Sequence, residues 1–329
     1  MITVLKAGLL TTVQDLGRPG YQQYGIVVGG ALDAFTTRAA NLILGNDDNA
    51  AVLEMAQTGP ELRFEHDTLV AWCGADFDAR IGVEPLPRDR AVRIAAGETI
   101  TFGFARTGLR AWLAVAGGVE VPLVLGSRST YRRAGIGGHN GRPLVVGDSL
   151  PIGMPGERGR QILATLTAAG RRSTAWTVRP QLLGGPVVAG TFRAMVGPEW
   201  SWFTADAHRD FFAADWRATN EADRMGVRLQ GPVLELVKPR EMISSSVNTG
   251  VVQVPSAGQP IVLLPSRQSV GGYPRLAAVA AVDVGRFTQL RPGDTVRFQK
   301  ISLSTAHELH LARERDLNLI RMGLARLAG

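Results

Sequence analysis

The sequence predicts a mainly β protein made of two successive β-rich units, with a few helices and a helix at the C-terminus. The 329 residues include 39 glycines and 18 prolines with only 6% aromatic side chains, a mix that suits short strands joined by tight turns better than a helical bundle. At roughly 100–200 residues per domain, this length implies about two domains. Two segments of the first half also echo in the second. Thr58-Gly59-Pro60-Glu61-Leu62 is similar to Gln230-Gly231-Pro232-Val233-Leu234, and Ala96-Gly97-Glu98-Thr99-Ile100-Thr101-Phe102 is similar to Pro292-Gly293-Asp294-Thr295-Val296-Arg297-Phe298. A duplicated unit explains the echo. Independent recurrence of Gly-Pro and Gly-acid-Thr turn chemistry is the alternative.

Ile2–Lys6 reads as a first strand, followed by a loop crowded with Gly17, Gly20, Gly25, Gly29 and Gly30. Asp33 has the position of an N-cap, Phe35, Ala39, Leu42 and Ile43 follow at helical spacing, and Gly45 supplies a left-handed stop. Short apolar runs at 69–72, 91–94, 99–104 and 109–115 read as strands separated by glycines. A second glycine-rich loop runs from 135 to 147. Residues 157–179 read as a transition in which 162–168 forms a short strand or a linker. A new strand-rich segment begins near Thr177, with a helix over 204–214 capped by Thr204 or Asp206, and strands at 233–237, 251–254, 261–264 and 295–298. Thr305 and Glu308 fit a capping box for the last helix, whose apolar stripe is Leu309, Leu317, Ile320, Leu324 and Leu327.

Composition excludes several classes. A hydrophobic fraction of 45% and a charged fraction of 20% are those of an ordinary globular chain. No apolar run reaches the roughly 18 residues that cross a bilayer, and the N-terminus has no basic stretch followed by an apolar core, so a cytoplasmic protein is expected. Cys73 is the single cysteine, which rules out an internal disulfide and a thiolate zinc cluster. The net charge of +7 raises the question of nucleic acid, but only Lys6, Lys238 and Lys300 are lysines and the arginines are scattered, so no nucleic-acid partner is expected. Arginine forks suit carboxylates and phosphates equally well. His307 and His310 lie three apart on the last helix without a third ligand, and no metal site is expected. There is no phosphate loop ending in Lys-Ser/Thr, no strand–GxGxxG–helix unit, no GxSxG elbow and no lysine in a biotin-attachment context.

Three dense clusters of glycine and polar residues remain. The first runs from Thr11 through Gln14, Asp15 and Arg18 to Asp33. The second holds Gly126, Ser127, Arg128, Ser129 and Thr130 together with Gly137, Gly138, Gly141, Arg142, Gly147 and Asp148. The third joins Gln253, Val254 and Pro255 to Arg267, Gln268, Ser269, Val270, Gly271, Gly272, Tyr273 and Pro274. Loops of this kind let backbone N–H groups approach a small polar ligand while an arginine fork holds a carboxylate. They also serve as tight turns at barrel corners, and the arginines as structural ion pairs. Candidate substrate-binding residues are therefore Gln14, Asp15, Arg18, Arg128, Ser129, Thr130, Arg142, Gln253, Arg267, Gly271, Gly272 and Tyr273, and no catalytic residue is assigned.

The run Thr12-Val13-Gln14-Asp15-Leu16-Gly17-Arg18 resembles the opening signature of the 5-oxoprolinase C-subunit family, also known as biotin-dependent carboxyltransferases, allophanate hydrolase subunit 2 or KipA-like proteins. Similar matches follow in order at Ala40-Asn41-Leu42, Leu53-Glu54, Leu113 to Gly118, Leu125 to Thr130, Gly141-Arg142, Arg224 to Leu229, Val252 to Pro255, Gly271 to Pro274 and Gln289 to Asp294. The resemblance implies two tandem cyclophilin-like β-barrel domains, divided here as 1–172 and 173–300, with a helical tail over 301–329. It implies a hydrolase component that is active only in complex, opening 5-oxo-L-proline to L-glutamate at the expense of ATP. The partners would be a B subunit (KipI-like, or allophanate hydrolase subunit 1) and an A subunit (LamB/YcsF-like). No cofactor is expected on this chain alone. Biotin enters only under the alternative, a carboxyltransferase of a urea carboxylase/allophanate system; a further alternative is a non-catalytic antagonist of a KipI-like kinase inhibitor. The chain departs from the family pattern at Tyr131, Ser245, Ser266, Ser269 and Val270, where acidic or other polar residues are usual. A lost carboxylate can neither orient an amide N–H nor act as a base.

Overall fold

A computed structural model describes residues 1–178 and 190–327. The expected start of the second strand-rich segment, including Arg179, lies partly outside the described residues. The chain is mainly β and gathers into two compact units, the first from Met1–Arg18, Gly29–Gly185 and Arg315–Gly329, the second from Pro19–Val28 and Pro186–Glu314.

In the first unit, β1 (Ile2–Lys6), β2 (Leu10–Gln14), β3 (Val52–Ala56), β4 (Glu61–Phe64), β5 (Thr68–Ile81), β6 (Glu84–Pro85), β7 (Val92–Ile94), β8 (Thr99–Val115) and β9 (Ser149–Leu150) form one antiparallel sheet. Its path is β2-β3-β8-β4-β1-β9, and β5 branches from β8 to carry β6 and β7. The expected strands at 99–104 and 109–115 fuse into the single long β8, because β5 pairs with it from Val70↔Val115 to Ile81↔Ile100 through register shifts that absorb the intervening glycines. Val4, Leu53, Phe64, Trp72, Phe102 and Leu113 meet in the core, where Trp72 and Phe102 pack edge to face at 5.6 Å. Helix α1 (Ala34–Leu44) starts and stops as its sequence indicates. Asp33 accepts from the Thr36 N–H at 3.0 Å, and Gly45 ends the helix in the left-handed region. Residues 162–168 are helical, within α2 (Glu157–Ala168), and not the short strand or linker expected there; Ile162 and Leu166, four apart, bury one face.

The second unit contains β10 (Thr191–Val196), α3 (Ala205–Ala213), β11 (Trp216–Ala218), β12 (Gly226–Gln230), β13 (Ser245–Ser246), β14 (Val251–Gln253), β15 (Ile261–Leu263), β16 (Val270–Gly271), β17 (Arg275–Val279), α4 (Ala281–Phe287) and β18 (Thr295–Lys300). Seven of these strands close a barrel in the order β10-β17-β14-β15-β12-β11-β18, the seam being the parallel pair β10–β18. β13 and β16 form a separate two-stranded ribbon. Phe211 stacks on Phe298 at 4.4 Å and Phe192 packs on Phe287 at 4.3 Å inside. Thr204 caps α3. Residues 233–237 make no strand, only an isolated bridge between Leu236 and Phe203. Helix α5 (Leu303–Arg326) is capped by Ser302, which accepts from the Thr305 N–H at 3.1 Å, in place of the box expected from Thr305 and Glu308. Leu317, Ile320 and Leu324 are buried along it, whereas Leu327 is exposed.

One of the two sequence echoes is a repeated structural device. Glu98 Oε2 accepts from the Ala95 N–H and Asp294 Oδ2 from the Arg291 N–H, both at 2.7 Å. The Gly97 N–H donates to Phe64 O and the Gly293 N–H to Ala218 O, while Glu98 O and Asp294 O accept from the N–H groups of Phe64 and Ala218. The Gly-Pro echo is not positional, since Gly59-Pro60 precedes β4 and Gly231-Pro232 follows β12. Both glycines lie where a Cβ would strike an aromatic residue, Phe102 or Trp216.

Candidate functional sites in the two units

The first two sequence clusters come together in the first unit around Asp15. Gln14 ends β2, so the chain leaves the sheet at Asp15, whose side chain is 1% exposed. Its Oδ1 accepts from Ser127 Oγ and Ser129 Oγ, both at 2.6 Å, and from the Gly17 N–H at 2.8 Å. Its Oδ2 accepts from the Arg128 N–H at 2.5 Å, and its own N–H donates to Ser129 Oγ at 2.8 Å. Ser127 and Ser129 lie on one short loop, where the Ser129 N–H also donates to Ser127 Oγ at 3.0 Å, and both hydroxyls reach the same carboxylate. The loop is fixed further by Thr130, which donates to Val13 O through both N–H and Oγ1.

Arg18 lies beside this hub and is 1% exposed. Its Nη2 donates to Ser129 O and its Nε weakly to Val124 O, leaving Nη1 buried without a partner. Burial pushes its pKa down, against the pull of Asp15 and Tyr131. Gly137 has φ +68°, and a Cβ there would collide with Ser129 O and lie 2.7 Å from Arg18 Nη2, so this contact admits only glycine. Gln14 donates to Thr12 Oγ1 and Thr130 O, while its Oε1 has no partner.

Arg128 and Arg142 are largely committed within the chain. Arg128 Nε donates to Val121 O at 2.9 Å. Arg142 holds Asp148 through two bonds of 2.7 Å, and this fork lowers the Asp148 carboxyl to about 2.

The third cluster is assembled in the second unit on the β13–β16 ribbon. Ser245 pairs with Gly271 and Ser246 with Val270, and the Val247 N–H donates to Ser269 O. Cross-strand neighbours share a face. Ser246 and Val270 therefore point outward, with Val270 55% exposed, and Ser245, Gly271, Val247 and Ser269 share the inner face, with Val247 buried. The hydroxyls of Ser245 and Ser269 are both buried without a hydrogen-bond partner among the described residues. Gln253, at the end of β14, lays its carboxamide on this face. A Cβ on Gly271 would stand 2.5 Å from Gln253 Nε2, whose one bond is a long one to Tyr273 O at 3.4 Å. Arg267 is 7% exposed and donates through Nε to Val247 O at 3.2 Å, its side chain's only hydrogen bond among the described residues. Burial alone lowers its pKa, with no acidic neighbour opposing it. Gly272 adjoins Ser244 and Met242, and Tyr273 is half exposed.

Residues absent from the candidate set complete both places. Ser127 gives the Asp15 carboxylate the same hydroxyl bond as Ser129, and its signal is the Ser-x-Ser spacing beside a lone acid. Glu199 holds Arg275 through its N–H, Nε and Nη2, while Arg275 Nη1 donates to Ser246 O and so ties the ribbon to the barrel. Nothing local in the sequence marks Glu199. Among the described residues no group of three His, Cys, Asp or Glu could hold a metal ion, and no helix is long and apolar enough to cross a membrane.

The family model for a carboxyltransferase domain, subdomains A and B, matches residues 24–300. The 5-oxoprolinase C subunit of Escherichia coli is 38% identical over 306 residues, covering 93% of each chain. That of Haemophilus influenzae is 33% identical over 322 residues, covering 98% of each. The crystal structure of Kluyveromyces lactis urea amidolyase superposes with a TM-score of 0.86 at 26% identity, over 97% of this chain and 20% of that one.

Proposed function

The chain belongs to the carboxyltransferase family of subdomains A and B, and from that membership we propose that it acts as the C subunit of an ATP-dependent 5-oxoprolinase. The observation that carries this reading is the match, nearly end to end in both directions, with the C subunits of two bacteria. In this reading the chain works in a cytoplasmic hydrolase complex with the A and B subunits, which carry the ATP chemistry. Water adds to the lactam carbonyl of 5-oxo-L-proline, the ring C–N bond breaks, and L-glutamate leaves.

The residues proposed to meet the substrate are Gln253, Arg267, Gly271, Gly272 and Tyr273, because this cluster holds polar groups that the fold itself leaves unused. Gln14, Asp15, Arg18, Arg128, Ser129 and Thr130 are proposed to frame the first-unit loops, with Arg142 as an ion pair beneath them. The likeness to urea amidolyase favours a second reading, a biotin-dependent carboxyl transfer, and supports it at lower identity.

The test is reconstitution. The chain alone should hydrolyse no ATP, and adding the A and B subunits with 5-oxo-L-proline should release glutamate and ADP together. A full set that makes no glutamate would contradict the assignment; carboxylation of urea by the chain with a carboxybiotin carrier would replace it.

A further inference from the structure

The two polar clusters use the same parts. Each has a glutamine at the end of a strand, two serines, an arginine with almost no exposure, and a glycine against which a polar side chain packs. In the first unit the two serine hydroxyls converge on Asp15, and the arginine lies in the field of that carboxylate. In the second cluster, among the described residues, no carboxylate takes that place: Ser245 Oγ and Ser269 Oγ have no hydrogen-bond partner, Arg267 pairs with no acid, and the nearby Glu199 is committed to Arg275. A buried guanidinium without an anion, and buried hydroxyls without acceptors, are costly in any fold. One group would satisfy all three, an anion with two oxygens.

We propose that the inner face of the β13–β16 ribbon is a carboxylate seat, in which a ligand's carboxylate occupies the role that Asp15 plays in the first unit. Arg267 provides the charge through its free Nη donors, Ser245 and Ser269 each donate a hydroxyl, and the Gln253 carboxamide, set over Gly271, borders the seat. Glu199 is a positioning residue; through Arg275 it fixes the ribbon that carries Ser245. The seat selects ligands by charge, so it accepts a small carboxylic acid and rejects the neutral amide of the same shape. Naming 5-oxo-L-proline as the natural occupant rests on the function proposed above; the seat does not.

Two matched pairs of probes, titrated into the full chain and followed by NMR or calorimetry, separate the claims. Acetate should bind and acetamide should not; 5-oxo-L-proline should bind and 2-pyrrolidone, which lacks the carboxylate, should not. Arg267→Gln should weaken both acids by roughly ten- to hundredfold, and Ser245→Ala and Ser269→Ala by roughly three- to tenfold each. The serine variants keep the test open if Arg267→Gln fails to fold. Acetate binding that depends on Arg267, without binding of oxoproline, would leave the seat standing and remove the substrate assignment. In the reconstituted complex, Arg267→Gln should raise the oxoproline KM more than it lowers kcat; turnover with an unchanged KM would remove the seat and leave the assignment. Equal binding of acetate and acetamide, or affinities unchanged in all three variants, would overturn the proposal.

Discussion

The loops around Asp15 and the ribbon around Arg267 show how one missing group turns structure into a receptor. In the first unit a buried carboxylate draws two hydroxyls and two backbone N–H groups onto itself, so the loop that carries Ser127 and Ser129 is welded to the end of β2. In the second unit the same side-chain types meet with no acid among them, and the hydroxyls of Ser245 and Ser269 have no partner among the described residues. Saturation of the Asp15 carboxylate marks the first as scaffold, although Arg18 Nη1 and Gln14 Oε1 beside it stay unpaired among the described residues. The deficit is what supports the proposed binding surface in the second, since buried polar groups in native folds are nearly always paired. Glycine tells the same story. Gly137 abuts backbone and the buried Arg18, whereas Gly271 abuts the movable end of Gln253.

The comparison breaks most readily at Asp15. Asp15→Ala strips partners from two buried hydroxyls and two N–H groups and should cost on the order of 3–5 kcal/mol in denaturant unfolding. A loss below about 1 kcal/mol would show that the hub is not structural. Next come the glycines. Gly137→Ala, strained and overpacked against backbone, should cost about 2–4 kcal/mol, while Gly271→Ala should cost under about 1.5 kcal/mol because Gln253 can turn away, yet should abolish ligand binding. Equal stability losses would erase the distinction. The smallest effect concerns pH. Asp148 is held at about 2 by Arg142, below the ordinary carboxylate range. Its contribution is therefore complete above about pH 4 and disappears as the pH falls from 4 toward 2, amounting to about 1 kcal/mol because Arg142 is partly solvated. Arg142→Ala should return the Asp148 titration, followed by carboxyl NMR, to the ordinary range; a carboxyl still at 2 would mean that the Val145 N–H and His139 suffice.

Much of the fold was legible because its signals are local. Asp33 and Gly45 bound α1 through capping chemistry that needs no tertiary information, and the turn at Glu98 recurs at Asp294 because a carboxylate reaching back three residues to a backbone N–H makes the same loop twice. The failures are non-local. Whether 99–104 and 109–115 are one strand depends on pairing with β5, and the absence of a strand at 233–237 depends on which neighbours reach it. The sites divide likewise. The runs holding Asp15, Ser129 and Arg267 were visible as polar, glycine-rich loops, but sequence could not tell a saturated arginine from an unsaturated one. Arg142 and Arg267 look alike as letters, and only the position of Asp148 separates them. Glu199 was invisible for the same reason, since its partner lies 76 residues away.

The most direct test sets one serine of each cluster against the other. Ser129→Ala removes two bonds to Asp15 and should destabilise the protein by about 2–3 kcal/mol, whereas Ser269→Ala removes a hydroxyl that bonds to nothing and should leave unfolding within about 0.5 kcal/mol of the parent. Equal losses at both positions, or a larger loss at Ser269, would contradict the division between scaffold and receptor.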